Sequence, residues 1–357
     1  MNIAFVNATR RFGGVKAWTL DLASRLTEKG HHAPIFCRRG PFHTRAVKLG
    51  LEAHAMNFGF DYNPLAVWRF YRYFKQHNID ALVVNVGKDI RTAGVAARLA
   101  GIPVIHRVGL PRDMRNTPKV KNTHKFIGPQ ILVPCQFIKD GLLKELDFLH
   151  PEEVTVILTG KKSSAEPPSL VRSPRQIAVT SQLNPDKGHA DLLHALKRLK
   201  DGGYSFHLHV AGTGKSEKEL KQLAHELGLT DNITWHGFVQ DIRSILKQAD
   251  IFVLPSYSEG LPNTLLEAMS EGLVPVARNI GGIAEAWPFD ISPLEKTLVK
   301  RERVPDHLVH ALEELLRLDN EALFQLRDDV WNWFRANNSL DVRADEFLAF
   351  IREQCRR

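Results

Sequence analysis

Apolar and polar positions along the chain follow two registers. Short runs that are apolar at nearly every position are separated by stretches in which apolar residues return every three or four positions. The first pattern predicts strands buried on both faces, the second amphipathic helices. Strands are expected over 2–6, 33–38, 81–85, 103–106 and 130–133, with helices over 15–29, 65–76, 91–100 and 137–146. A polar stretch, 159–169, breaks the alternation and reads as an interdomain linker. Strands resume over 176–180, 206–211, 233–235, 251–254 and 274–277, with a helix over 241–248. The tail is helical over 306–316, 321–337 and 340–356. Strand-helix alternation with short connections implies parallel sheets wrapped by helices. We therefore expect an α/β protein of two doubly wound domains, 1–160 and 174–337, with 338–357 as a closing helix. Ligands of such sheets bind outside the carboxyl ends of the strands, and both domains are expected to offer those ends to one cleft.

Composition is that of an ordinary soluble globular protein, 43% hydrophobic and 25% charged over 357 residues. The first residues lack the order of a signal peptide, and no apolar run reaches a membrane span of about eighteen residues. Cys37, Cys135 and Cys355 are far apart and without metal-type spacing, as expected for reduced thiols in a cytoplasmic protein. Charge is more informative once divided. Residues 1–150 hold 23 Lys and Arg against 10 Asp and Glu, and the remainder holds 25 against 30. A polarised molecule of this kind steers an anionic partner toward its first half.

The most informative stretch is 255–285, PSYSEGLPNTLLEAMSEGLVPVARNIGGIAE. Its acids Glu259 and Glu267 are eight positions apart. On one helix they would point roughly 80° apart, so they converge only if Glu259 lies in the loop and Glu267 on the helix. Asn263, Thr264 and Glu267 share one helical face. A helix N-terminus flanked by two carboxylates suits a ligand with a central diphosphate and a sugar at each end. Gly13-Gly14, opening a helix after the first strand, is a second place where phosphate could approach backbone amides. Lys16 is either a further charge there or an exposed surface lysine. Ala211-Gly-Thr-Gly-Lys-Ser216 is not a Walker loop, because His209 stands where that loop needs glycine. No Asp-x-Asp pair sits at a strand end, so no metal site is expected.

The string Pro255-Ser256, Glu259-Gly260, Pro262, Glu267-Ala268-Met269, Gly272, Pro275-Val276, Gly281-Gly282 and Glu285 resembles the E-x7-E signature of retaining GT-B glycosyltransferases, most closely glycosyltransferase family four. The resemblance implies a GT-B fold whose last helices return to the N-terminal domain. It also implies a nucleotide-sugar donor, read here as a UDP-sugar, and no cofactor. Glu259 would hold the transferred sugar and Glu267 the ribose. Gly260, Leu261, Asn263 and Thr264 would line the donor site, and Lys187 would bind its diphosphate. The family's Arg five residues before the Lys-Gly pair is Gln182 here, which either weakens the grip on phosphate or shifts it to another cation such as Lys16 or Arg11. Gly212 and Gly214 permit close backbone approach. Phe238 reads by itself as a packed ring in a strand-to-helix turn and by resemblance as a wall of the nucleobase site. Gly101-Ile-Pro-Val-Ile-His106 supplies a histidine near the family's position, read either as the reacting-sugar histidine or as a structural one. Asp113 competes with His106 for the acceptor side.

Two segments bear on membranes. Residues 63–76 interleave Trp68, Phe70, Tyr71, Tyr73 and Phe74 with Arg69, Arg72 and Lys75, and residues 109–128 carry five cations and one acid. The first reads as a core-packed helix with a basic edge, the second as a surface for an anionic bilayer or acceptor. The expectation is a cytoplasmic, membrane-peripheral enzyme moving a hexose or N-acetylhexosamine to a lipid-linked or lipopolysaccharide acceptor, as in O-antigen assembly. A small soluble acceptor is the alternative. Nucleic-acid binding is disfavoured, since no recognition element stands out and both glutamates would be left unexplained.

Overall fold

The computed structural model describes residues 1–10, 13–169 and 171–356, and the chain divides into two units. The first is Met1–Gly160 with Leu340–Arg357, the second Lys161–Ser339. In the first unit β1 (Ile3–Asn7), β2 (Ile35–Cys37), β3 (Ala53–Ala55), β4 (Ala81–Val84), β5 (Val104–Arg107), β6 (Gln130–Val133) and β7 (Val154–Val156) form one parallel sheet. Their order is β3-β2-β1-β4-β5-β6-β7. Every position of β1 and β4 is buried, which is why they read as unbroken apolar runs. Strand order reverses between these two, so a crevice opens outside their carboxyl ends. The closing helix Leu340–Arg356 belongs to this unit. Phe347 lies 6.5 Å from Phe5 and 6.2 Å from Trp18 between ring centroids, Lys29 reaches Asp345 at 2.6 Å, and Arg25 pairs with Asp341.

The second unit is a six-stranded parallel sheet. Its strands are β8 (Arg175–Thr180), β9 (Phe206–Ala211), β10 (Ile233–Gly237), β11 (Ile251–Leu254), β12 (Val274–Arg278) and β13 (Leu298–Val299). They lie in the order β10-β9-β8-β11-β12-β13, and the switch point is between β8 and β11. Two expectations change. The stretch 161–169 is no free linker. Ser164 donates its backbone N–H to Ser270 at 3.0 Å, Trp331 Nε1 donates to Ser164 Oγ at 2.9 Å, and Arg327 reaches the Ser169 carbonyl at 3.0 Å. These bonds anchor the stretch to the body of the second unit. The helix expected over 241–248 shortens to Arg243–Leu246, because the Asp241 carboxylate accepts the Arg243 N–H at 3.2 Å and holds the preceding turn open.

One buried ion pair ties the second unit together. Asp250, just before β11, accepts from Arg327 at 2.8 Å and from the Gln176 N–H at 3.0 Å, and Arg327 also donates to the Gly272 carbonyl at 3.1 Å. Both side chains are essentially without solvent. Removing one partner strands the other charge, which costs about 3–5 kcal/mol. Arg327→Met is therefore expected to lower the urea midpoint strongly, and Arg327→Met with Asp250→Asn to recover most of the loss. A single variant that unfolds like wild type would contradict the pairing.

Three buried histidines make the fold acid-sensitive. Burial pushes His106, His189 and His209 from the usual 6.5 down to about 4. The unfolded chain binds these protons near pH 6.5 and the fold only near 4. Their contribution to stability is thus full above pH 6.5 and lost as pH falls toward 4, by about 3 kcal/mol for a fully buried histidine. Urea midpoints measured from pH 7 to 4 should fall, and His106→Gln should flatten that fall.

Candidate active site

In the second unit the loops that follow β8 and β11 are pressed together. Gly188 has φ +69°, and a Cβ there would overlap the Pro255 carbonyl oxygen. Tyr257 donates its backbone N–H to the Asp186 carbonyl at 2.9 Å. Beneath them, buried Arg278 donates to the Pro255 carbonyl and pairs with Asp191, which also accepts the Tyr257 hydroxyl at 2.8 Å. The Arg278 guanidinium stands 4.6 Å over the Tyr257 ring. This support puts Lys187 and Glu259 side by side, with Nζ 2.8 Å from Oε1.

Glu267 lies on the helix Asn263–Ser270 and Glu259 in the loop before it, which is the arrangement their spacing required. The Glu267 carboxylate meets Lys161 Nζ at 3.0 Å. Each acid of the pair therefore has its own lysine. No side chain caps the helix start at Pro262, and the Asn263 Oδ1 is buried without a partner. A cavity of about 500 Å³ is lined by Gln182, Gly212, Gly214, Phe238, Thr264 and Glu267, among others. That is room for a nucleotide-sized ligand. Gly212 has φ +147°, and a Cβ there would collide with the Ser181 carbonyl, so only glycine lets these two loops close the cavity floor.

Phe238 is not a packed ring. It is 80% exposed at the cavity edge, because its turn carries it out past the end of β10. Gln182 lines the same cavity and accepts a hydrogen bond from Asn184 at 3.1 Å. Leu261 packs on the unit's core, and Gly260 accepts the Gly282 N–H at 2.7 Å. Sequence reasoning missed Lys161, which falls in the stretch read as a linker. It also missed Asp191, Tyr257 and Arg278, whose only sequence signal is a charge or ring within otherwise ordinary elements.

In the first unit Gly13 precedes the helix Gly14–Glu28, which no side chain caps, and the space around it is open. Lys16 is not an exposed lysine. It is 4% exposed, donates to the Thr9 carbonyl at 2.8 Å and stands 5.1 Å over the Phe42 ring, and burial lowers its pKa. Arg11 lies outside the described residues. His106, on β5, is buried with Nδ1 unpartnered and lines a cavity of about 420 Å³ that also takes in Asp113, Arg91 and Lys119. Asp113 is tied to its own turn, accepting the Leu110 N–H at 2.8 Å. The structure thus brings His106 and Asp113 to one cavity, with His106 neutral at physiological pH.

The basic segment 109–128 folds into a turn and the helix Pro118–Ile127, with Thr123, His124 and Ile127 buried. Lys119 joins Lys88 and Arg91 around Asp61, at 2.6, 3.2 and 2.7 Å. The helix Pro64–Gln76 buries Ala66, Phe70 and Phe74 and leaves Leu65, Trp68 and Tyr71 exposed. Among the described residues no helix is long and apolar enough to cross a membrane.

Residues 161–328 match the family model described as glycosyl transferases group 1, and residues 12–161 match that of glycosyltransferase family 4. A UDP-Gal:alpha-D-GlcNAc-diphosphoundecaprenol alpha-1,3-galactosyltransferase of Escherichia coli is 27% identical over 236 residues, 59% of this chain and 61% of that protein. The chain spans about half the length of the curated relatives it matches. Two solved structures superpose with a TM-score of 0.79. One is a glycosyltransferase from Rickettsia africae, 20% identical, covering 99% of this chain and 98% of that one. The other is Anabaena Alr3699/HepE in complex with UDP, 16% identical, covering 99% of this chain and all of that one. Two adjoining family models, two doubly wound units and paired glutamates at a helix start agree: the chain belongs to the GT-B glycosyltransferases of the family-four type.

Proposed function

We propose that the protein is a metal-independent, retaining glycosyltransferase. It moves a hexose or N-acetylhexosamine from a nucleotide sugar, read as a UDP-sugar, to a lipid-linked or lipopolysaccharide saccharide. The observation that carries this reading is the contact of Lys187 with Glu259 at 2.8 Å beside an uncapped helix start. It is supported by the Escherichia coli relative, whose name specifies a UDP-sugar and a diphosphate-linked lipid acceptor, and by the UDP held in the Anabaena structure.

In this reading the nucleotide occupies the second unit's cavity with its ribose hydroxyls on Glu267 and its base near Phe238. The diphosphate faces Lys187 and the amides at the start of the helix Asn263–Ser270. These fixed charges stabilise the leaving group as the C1–O bond breaks, commonly the largest catalytic effect. Glu259, released from Lys187 by the phosphate, accepts hydroxyls of the transferred sugar while positive character develops at C1. The acceptor oxygen then bonds to C1 on the face the diphosphate leaves, its proton departing with the diphosphate. His106 and Asp113 serve the acceptor from the first unit. Leu261, Asn263 and Thr264 select the sugar.

A panel of nucleotide sugars in excess chelator, scored by nucleotide release, tests donor and metal together. Lys187→Ala is expected to lower kcat/KM by about 10²–10³, and Glu267→Ala to weaken UDP binding at least about tenfold, the share of a hydrogen bond to a charged group. Glu267→Ala binding UDP like wild type, or chelator abolishing release, would refute the assignment. We propose that the enzyme works at the cytoplasmic face of the membrane, a reading supported by the exposure of Leu65, Trp68 and Tyr71 beside Arg69 and Arg72. Trp68→Ala with Arg72→Gln should then reduce sedimentation with anionic vesicles, and sedimentation unchanged by this pair would remove the segment from that role.

A further inference from the structure

A second cavity of the first unit is separate from the one holding His106. Its volume is about 660 Å³, and it lies at the carboxyl ends of β1, β2 and β3. Its walls include Arg10, Lys16, Arg38 and Arg39 and, among the described residues, no carboxylate. Four cations around one cavity repel one another, and this costs stability unless something answers them. Among the described residues no ion pair joins Arg10, Arg38 or Arg39 to an acid. One acid, Asp89, acts on Lys16. It is fully buried, with its oxygens committed to the backbone N–H groups of Ala8, Asn85 and Val86.

Two of the cations are also built in. Lys16 is held by the Thr9 carbonyl, and Arg38 Nε donates to the Ala8 carbonyl at 2.7 Å while its guanidinium stands 5.6 Å over the Phe58 ring. The helix Pro41–Lys48 begins at the cavity wall, through Gly40, Pro41 and Phe42, and no side chain caps it. Its dipole adds to the same field. Arg10 and Arg39 are exposed at the rim, where they can close on a ligand.

We infer that this cavity binds a phosphate or diphosphate group carried by the saccharide acceptor. The word acceptor rests on the glycosyltransferase reading; the anion site does not. Its cations exceed what one singly charged carboxylate would neutralise, and guanidinium groups grip phosphate oxygens in pairs. The volume admits a sugar along with its phosphate.

The test is calorimetric titration of the full chain with inorganic pyrophosphate at low salt, in wild type, in Arg10→Gln/Arg39→Gln and in Lys187→Gln. Both rim arginines are exposed, so the double variant is expected to fold. Its affinity should drop about tenfold, since each lost charge acts over several ångströms of partly wet cavity. The same affinity should persist in Lys187→Gln. Pyrophosphate binding unaffected by the rim substitutions, or lost with Lys187, would overturn the inference. Competition by N-acetylglucosamine 1-phosphate assigns the phosphate to a free saccharide, and competition by phosphatidylglycerol vesicles assigns it to a membrane-borne one. Failure of both to compete overturns the assignment to an acceptor phosphate. A chain that takes no nucleotide sugar yet binds pyrophosphate at Arg10 and Arg39 would end the enzymatic reading and leave this site standing.

Discussion

The second unit's site depends on one close approach, that of Gly188 to the Pro255 carbonyl. Any side chain at 188 would push apart the loops that follow β8 and β11. Those loops carry Lys187 and Glu259, whose contact is only as good as the backbone spacing beneath it. Buried Arg278 fixes that spacing by bonding the Pro255 carbonyl and Asp191 together, and the Tyr257 hydroxyl completes the triangle. A preorganised cation beside a carboxylate is maintained by groups that never touch a ligand. The cost of ordering is met in folding rather than at the moment of binding.

Much of this was legible in order along the chain. The run Ile251–Leu254, the break at Gly260 and the apolar spacing of Leu265, Leu266 and Met269 fix a strand, a loop and a helix locally, so the relative placement of Glu259 and Glu267 followed from period alone. What stayed hidden is set by contacts between distant residues. Lys161 reads as one more polar residue in a Pro- and Ser-containing stretch, and nothing local says that it pairs with Glu267. Of the two readings of Phe238 the packed ring fails for a related reason: an aromatic ring in a turn is usually buried, and only the path of the chain after β10 shows that this one is not. The short edge strands β3 and β7 escape notice because most of their positions are half-buried or exposed, so neither makes the unbroken apolar run that the equally short but fully buried β2 does.

The two units use the same topology for opposite electrostatics. At the second unit's switch point cations and carboxylates alternate, Lys187 with Glu259 and Lys161 with Glu267, so the site is internally neutralised. The cavity beside β1 to β3 in the first unit has no such compensation among the described residues. The excess of Lys and Arg in the first 150 residues is thus not spread evenly over solvated faces. Part is answered at Asp61, where three cations converge, and part is left open around Arg38.

Lys161 is both the first residue of the second unit and the partner of Glu267. The place where one module hands over to the next is therefore itself a chemical component of the site. Excising the second unit at its first strand, as the sheet alone would suggest, would discard the lysine and the anchoring stretch after it, leaving Glu267 without its counter-charge. Exchange of whole units between relatives, by recombination or by design, succeeds at this boundary only if the cut falls before residue 161.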